Sequence, residues 1–122
     1  MSTRFWLLYK NIEKGTKVSL DEFSENKELN YEVRNSSLSL YRDVITEASR
    51  IVNESEDSKI IWELLRRNII SVSLAQELID ISKIIANIFS IDDAVIYSML
   101  VRIMEDLEEL YFSIQKYLSS NA

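Results

Sequence analysis

The chain has 122 residues and a formal charge of −6, and it contains neither cysteine nor histidine. This composition excludes disulfides, nearly every zinc site and an imidazole general base, so we expect no metal ion and no cofactor. The acidic balance argues against direct nucleic-acid binding, which depends on basic side chains that neutralise phosphates. The N-terminal apolar run is short for a signal peptide and no stretch reaches membrane-spanning length, so we expect a cytoplasmic protein without membrane contact.

The N-terminal part of the chain predicts two helical elements. Apolar residues at helical spacing predict a helix over Thr3–Lys14, and Gly15 is placed to end it in a left-handed cap. The stretch Ser19–Glu22 has the form of a capping box, which predicts a short helix that buries Leu20 and Phe23.

The polar segment 24–35 gives two conflicting signals. Its three apolar residues, Leu29, Tyr31 and Val33, alternate as in a strand, but no pairing strand is predicted elsewhere. We therefore expect a loop or an irregular helix there. A second regular helix is predicted over Ser36–Glu54, and the short polar turn after it favours an antiparallel neighbour.

The longest predicted element is one central helix over Asp57–Phe89, a stretch without glycine or proline. Its apolar residues form two adjacent rows at helical spacing, interrupted at Arg67 and Ser71. A helix with so wide an apolar arc is expected to be packed on both flanks, as the central rod of a bundle. Its polar residues fall on one remaining stripe: Glu63, Arg66, Arg67, Ser73, Gln76, Glu77, Asp80, Lys83 and Asn87.

A last helix is predicted over Ile91–Leu118, with Ser90 and the acids Asp92 and Asp93 capping its N-terminus. Residues 119–122 are expected to be disordered. These elements predict a single all-α domain over residues 1–122. It would be an antiparallel helical bundle with a long central helix, a long C-terminal helix and no sheet.

The charges are unevenly spread along the chain. Residues 1–17 carry four basic side chains against one acid, whereas residues 92–109 carry six acids against one arginine. Such asymmetry either steers a partner towards the protein or draws the two segments together within one molecule.

Two carboxylate pairs are the only candidates for catalysis. Glu77 with Asp80, and Glu105 with Glu108, each place two acids three residues apart on one side of a helix. Two such pairs that face each other can hold magnesium, and the pattern resembles the helix pair of MazG-type nucleotide pyrophosphatases. The order of the motifs is reversed here, and the first pair lies on the stripe predicted to face solvent. We interpret both pairs as solvated helix faces, with Glu105 and Asp106 near enough to Arg102 for local pairing, and expect no enzymatic activity.

Two aromatic-basic groupings have alternative interpretations. Arg66 and Arg67 near Trp62 could grip an anion or stack a base, but the favoured interpretation is that the arginines pair with Glu63 while Trp62 fills a gap in the core. Near the N-terminus, Phe5, Trp6 and Tyr9 lie beside Arg4 and Lys10 in a pattern like a nucleic-acid patch. Since Phe5 and Tyr9 fit the buried row, only Trp6 is left over, and an exposed tryptophan is typical of a protein interface.

Several apolar residues exceed what one small core can hold. Ile70 falls in the polar stripe of the central helix, and further apolar residues of the last helix fall outside its main row. Surplus apolar area on long helices points to a partner subunit, so we expect a homo- or hetero-oligomer. The predicted partner interface consists of Trp6, Ile70, Val101, Met104 and Phe112.

The second half of the chain resembles a known family. Ser73–Ile79 running into Lys83–Ile85, followed by Ile91–Tyr97, is similar to the central helix and following helix of archaeal GINS subunits whose helical domain comes first. The sequence departs from that family in having Ser82 where an arginine is usual, and the family's small β domain would have to follow Ala122.

The resemblance implies a structural function without an active site. GINS is a tetrameric scaffold that joins the replicative MCM helicase to a RecJ-like partner and so supports DNA unwinding. The central and last helices would then form the interface between subunits.

Two other binding functions suit a small helical protein. One is a small subunit of a CRISPR effector, which would need a basic face that only Arg66 and Arg67 begin to supply. The other is a helical regulator encoded by a virus or plasmid, for which a small acidic protein is suited. The sequence does not choose between them.

Overall fold

The computed structural model describes residues 2–120, and within that range it contains six helices and no strand. The all-α prediction is therefore confirmed. The helices are α1 Ser2–Thr16, α2 Leu20–Glu25, α3 Lys27–Val52, α4 Asp57–Arg66, α5 Val72–Ala86 and α6 Asp93–Ser120. Among these residues no helix combines the length and the apolar character that crossing a membrane would require.

Helix α3 is the element around which the others pack. It has 26 residues and contacts all five other helices, and its buried side chains join a single apolar core with those of α1, α2, α4, α5 and α6. The residues predicted as one central helix do not form the rod of the bundle. The prediction is wrong on this point because that stretch is divided into two shorter helices, whereas α3 runs without a break.

The segment 24–35 is helical almost throughout. Asn26 begins α3, and its side-chain Oδ1 accepts a hydrogen bond from the Leu29 amide at 3.0 Å. Val33 is buried while Tyr31 is exposed, because two residues that are two positions apart point to different sides of a helix. The strand-like alternation therefore arose by chance from a helix with few apolar residues.

The predicted central helix is two helices, α4 and α5, separated by residues 67–71. Asn68 takes the left-handed conformation with φ of 59°, which asparagine adopts more readily than most residues. Ser71 then caps α5, its Oγ accepting from the Leu74 amide at 3.1 Å. The break needs neither glycine nor proline, and this is why the sequence pattern concealed it.

Gly15 lies inside α1 and does not adopt a left-handed conformation, so the predicted cap is wrong. A Cβ at this position would lie 2.7 Å from Leu100 Cδ1 and 3.1 Å from Val33 Cγ2. Glycine is needed here because the backbone of α1 approaches α3 and α6 closely.

The capping box at Ser19 is confirmed, since its Oγ accepts from the Glu22 amide at 3.1 Å. Phe23 is buried as predicted, but Leu20 is exposed. Helix α2 is short, and Phe23 is its one buried residue. Leu20, at the start of the helix, does not lie on that buried face.

Helix α6 begins at Asp93, two residues later than predicted. Ser90 does not cap it, because its Oγ donates to the Asn87 carbonyl at 3.1 Å. At the other end the helix includes Ser119 and Ser120, which were expected to be disordered. Asn121 and Ala122 lie outside the described residues.

Candidate functional site

Two of the five predicted interface residues belong to the core of the single chain. Ile70 is 5% exposed and Met104 is 6% exposed. The turn after α4 directs Ile70 inward, away from the polar stripe that a continuous helix would have given it. Met104 lies one helical turn after the buried Leu100 and shares its inward face. Because their side chains are buried within one chain, neither residue can contact a partner, and the prediction that Ile70 and Met104 belong to the interface is wrong.

The structure brings Trp6 and Phe112 together on the outside of the bundle. Their ring centroids are 6.2 Å apart, across the contact between α1 and α6. Trp6 is half-buried and makes edge-to-face contacts with Phe5 at 4.9 Å and Tyr9 at 5.3 Å. Phe112 is 51% exposed. These rings are held rigidly by the aromatic core beneath them, because Phe5 stacks on Tyr111 at 4.1 Å.

A stripe along α6 continues this aromatic pair. Val101 and Phe112 are eleven positions apart, which places them on one face about 16 Å from each other along the helix. Glu105 lies between them, one turn after Val101, and all three side chains are exposed. We call these three residues the outer stripe of α6. Together with Trp6 and Tyr9 they form what we call the α1–α6 surface.

Three acids of α6, one within this surface and two beside it, are not paired with any cation that the structure describes. Across residues 2–120, Glu105, Glu108 and Glu109 take part in no ion pair and no side-chain hydrogen bond. Burial, and secondarily the Glu108 carboxylate, raise the pKa of the neighbouring Tyr9. The α1–α6 surface is thus apolar at its two ends and negative between them.

Two of the three basic residues of α1 are paired with another helix. Arg4 Nε lies 2.5 Å from Asp43 Oδ2, and Lys14 Nζ lies 2.9 Å from Glu32 Oε1, so both pair with α3. Attraction between segments 1–17 and 92–109, one of the two alternatives that the sequence left open, is therefore not made through these two cations. The acidic charge of α6 stays available to a partner.

The two carboxylate pairs do not face each other. The Glu77 carboxylate accepts from Arg102 Nη2 at 2.6 Å and from Nε at 3.0 Å, and Asp80 lies 3.9 Å from the same guanidinium. The acids of the other pair lie on a different side of α6, next to Tyr9. In the described part of the chain, no group of three or more acidic side chains is arranged to hold a metal ion.

The predicted local pairing of Arg102 with Glu105 and Asp106 is not formed, because Arg102 binds Glu77 of α5 instead. Asp106 lies beside this ion pair. Its Oδ2 is buried and has no hydrogen-bond partner among the described residues. Burial, and secondarily the neighbouring Glu77 carboxyl, to which a protonated Asp106 can donate, raise the pKa of Asp106 from its ordinary 3.8 to about 7. Arg102 in turn lowers the pKa of Glu77. Glu77 and Asp106 thus form an acid pair between α5 and α6 in which Asp106 retains its proton more tightly than an exposed aspartate does.

Arg66 and Arg67 both bind Glu63, as predicted, at 2.8 Å and 3.3 Å. Arg67 also donates to the carbonyls of Ile51 and Val52 at the end of α3, so it ties the α4–α5 turn to that helix. Trp62 is 62% exposed and does not fill the core. It was placed wrongly because Ile60, Ile61 and Leu64 already occupy the buried face of α4.

Arg34 was missed by the sequence analysis. It is almost fully buried and donates to the carbonyls of Ile88 and Ile91 and to Asp93 Oδ1, the last two at 2.8 Å and 2.6 Å. Asn30 completes the group by accepting from Arg34 Nε at 2.7 Å and donating to Asp93 at 2.8 Å. Hydrogen bonds from Asn30, and secondarily from Arg34, lower the pKa of Asp93. Every nitrogen of this guanidinium is engaged by the protein, so Arg34 is a structural residue rather than a binding one.

Comparison of the chain with protein-family models, with characterised proteins and with solved structures finds no match.

Proposed function

We propose that this chain is a non-catalytic assembly subunit that binds a protein partner through the α1–α6 surface. The observation that carries the proposal is the exposed contact between Trp6 and Phe112, extended along α6 by Val101. Rigid aromatic side chains contribute disproportionately to binding when a partner excludes water from them. A monomer gains nothing from leaving such a patch in water.

The charge of the surface defines the kind of partner. Glu105, Glu108 and Glu109 bring three carboxylates to the outer side of α6, and no cation of the described chain neutralises them. A partner patch with an apolar centre and arginine or lysine side chains fits this pattern. Such complementarity speeds encounter and selects against acidic partners.

The resemblance to GINS supplies the more specific form of the proposal. In that form the chain is an archaeal cytoplasmic scaffold subunit that links a replicative MCM helicase to a RecJ-like partner. The residues that carry the resemblance, Ser73–Ile85 and Ile91–Tyr97, lie in α5, in the turn before α6 and in the first turns of α6. Helices α5 and α6 pack against each other within the chain. The interface between subunits that the resemblance implies would use the sides of these helices that face away from this contact.

The test uses purified protein and recombinant MCM helicase and RecJ-like protein of an archaeon, mixed pairwise and analysed by size exclusion with light scattering. We expect the wild-type chain to elute with one of them, and the variant Val101→Glu/Phe112→Glu to lose at least tenfold in affinity. Both substituted side chains are exposed, so the circular dichroism spectrum should be unchanged.

A matched control carries the same chemical change elsewhere. Trp62→Glu/Val72→Glu also replaces two apolar residues that are about 60% exposed, but on α4 and α5. This control should bind like the wild type. Equal loss of binding in both variants, or no loss in either, would refute the assignment of the α1–α6 surface.

A further inference from the structure

A cleft of about 580 Å³ lies between α3 and α5 and is closed at one end by the start of α4. Its floor is apolar, with Leu38 and Ile45 of α3 facing Ile85 and Ala86 of α5. The rim carries hydroxyl groups: Thr46, Ser49, Ser55 and Ser82. The closed end is sealed by the Tyr41 hydroxyl, which donates to Asp57 Oδ2 at 2.7 Å.

The cleft continues along the same two helices into a second one of about 420 Å³ that ends at Phe89. The two clefts share Leu38, Arg42, Ile85 and Ala86, so they form one open trough. At its far end Phe89 stacks on Tyr31 with ring centroids 5.7 Å apart, and both rings are more than half exposed. We call the trough defined by Leu38, Arg42, Ile45, Ile85, Ala86 and Phe89 the α3–α5 groove.

Arg42 is an unpaired cation in the middle of this groove. Of the seven arginines, all but Arg42 and Arg50 are bound to acids within the described residues, and Arg50 lies outside the groove. Arg42 is exposed and has no acid or carbonyl partner within residues 2–120. A free guanidinium above an apolar floor suits a ligand that combines apolar side chains with a carboxylate.

The outer stripe of α6 has that composition. It presents Val101, Glu105 and Phe112 in a row, an acid between two apolar side chains, and its acid is unpaired. The stripe is about 16 Å long, shorter than the run of α3 from Tyr31 to Ser49 that borders the groove. The stripe and the groove share no residue, so one copy of the chain offers both at once.

We propose that the α3–α5 groove receives the outer stripe of α6 from a second copy of this chain. The Glu105 carboxylate of one copy accepts hydrogen bonds from the Arg42 guanidinium of the other, while Val101 and Phe112 cover the apolar floor on either side. This inference rests on the proposed function, since it names a partner for the α1–α6 surface. Because the two surfaces differ, the contact is heterologous and generates a ring or an open chain of copies.

The experiment uses two variants that each lack one half of the contact. Arg42→Glu/Ala86→Glu alters only exposed residues of the groove and leaves the outer stripe intact. Val101→Glu/Phe112→Glu alters the outer stripe and leaves the groove intact. Light scattering measures the mass of wild type, of each variant and of their equimolar mixture at several concentrations, and circular dichroism confirms that each is folded.

The expected result is specific to a heterologous contact. Wild type should form species above the 14.3 kDa of one chain, each variant alone should remain at 14.3 kDa, and the mixture should form a 1:1 dimer of about twice that mass. As a control, Arg50→Glu makes the same arginine-to-glutamate replacement on α3 outside the groove and should assemble like the wild type.

The remaining outcomes overturn the inference and separate it from the proposed function. If the groove variant assembles like the wild type, or if the mixture stays monomeric while the wild type assembles, the groove is not the receptor. A third result is that the wild-type chain is monomeric alone and yet binds another protein through Val101 and Phe112. That result would show that the groove does not receive a second copy, and it would leave the proposed function intact. If the Val101→Glu/Phe112→Glu variant keeps both self-assembly and partner binding, the inference and the proposed function are both refuted.

Discussion

Arg34 Nη2 lies 2.6 Å from Asp93 Oδ1, and this contact joins α3 to the first residue of α6. The same guanidinium binds the carbonyls of Ile88 and Ile91, in the turn between α5 and α6. One arginine, more than nine-tenths buried, therefore fixes the start of α6 against α3, beside the apolar contacts that α6 makes along its length.

Replacing Arg34 by methionine should lower the free energy of unfolding by about 3 kcal/mol, because it leaves two carbonyl groups without their donor and takes the guanidinium from Asp93, which keeps only the Asn30 amide. Urea denaturation followed by circular dichroism measures this. Arg42→Met, which removes an exposed and unpaired guanidinium, should change stability by less than about 0.5 kcal/mol. Equal effects of the two substitutions would show that the Arg34 contacts do not stabilise the fold.

The pair of Glu77 and Asp106 predicts a pH dependence of stability. The pKa of Asp106 is about 7 in the folded chain against an ordinary 3.8, so between these values the folded state binds more protons than the unfolded state. Asp106 should therefore make the protein less stable as pH rises from about 4 to about 7. The variant Asp106→Asn cannot ionise, so its unfolding free energy should vary less with pH over this window and exceed that of wild type at pH 8. A wild-type stability that instead rises steadily across the window would contradict the assignment.

Gly15→Ala should destabilise the protein although alanine favours helices. The added methyl group would lie 2.7 Å from Leu100 Cδ1, in a fully buried site. Overpacking should cost about 2 kcal/mol of the free energy of unfolding, and the higher helix propensity of alanine should return about 1 kcal/mol. The protein should therefore be destabilised by about 1 kcal/mol. Thermal unfolding measures it. In a Leu100→Ala background the penalty should disappear, and a stabilised Gly15→Ala protein would show that α1 is not held close to α6.

Asn68 should tolerate glycine but not alanine. Its φ of 59° is strained for most side chains, so Asn68→Ala should cost about 1 kcal/mol while Asn68→Gly should be close to neutral. Asn53, with φ of 56° after α3, should show the same order. If Asn68→Ala instead raised both stability and helix content, α4 and α5 would form a continuous helix in solution.

The apolar rows of α1 and α6 could be predicted from the sequence because their spacing persists over several turns. Ile96, Leu100, Ile103 and Leu107 are all fully buried, as their period indicates. The start of α3 could not be predicted, since its inward positions include polar residues such as Arg34 and Ser37 that only the assembled fold satisfies.

The candidate surface was predicted in part. Val101 and Phe112 lie outside the apolar row of α6 and are exposed. Because α6 is one unbroken helix, each side chain lies on the face that the helical spacing predicts. The prediction for Ile70 is wrong because the turn at Asn68 interrupts the helix, so Ile70 is buried instead of lying on the polar face of a continuous helix. The unpaired Arg42 could not be recognised, since the sequence does not show which arginines find an acid once the helices pack.

The solution mass of the wild-type chain and of Val101→Glu/Phe112→Glu, alone and with a binding partner, tests the central claim most directly. The account predicts that the wild-type chain exceeds 14.3 kDa in at least one of these conditions, while the variant stays at 14.3 kDa in all of them with its helical spectrum unchanged. Identical masses for the two proteins in every condition would contradict the claim that the α1–α6 surface binds protein.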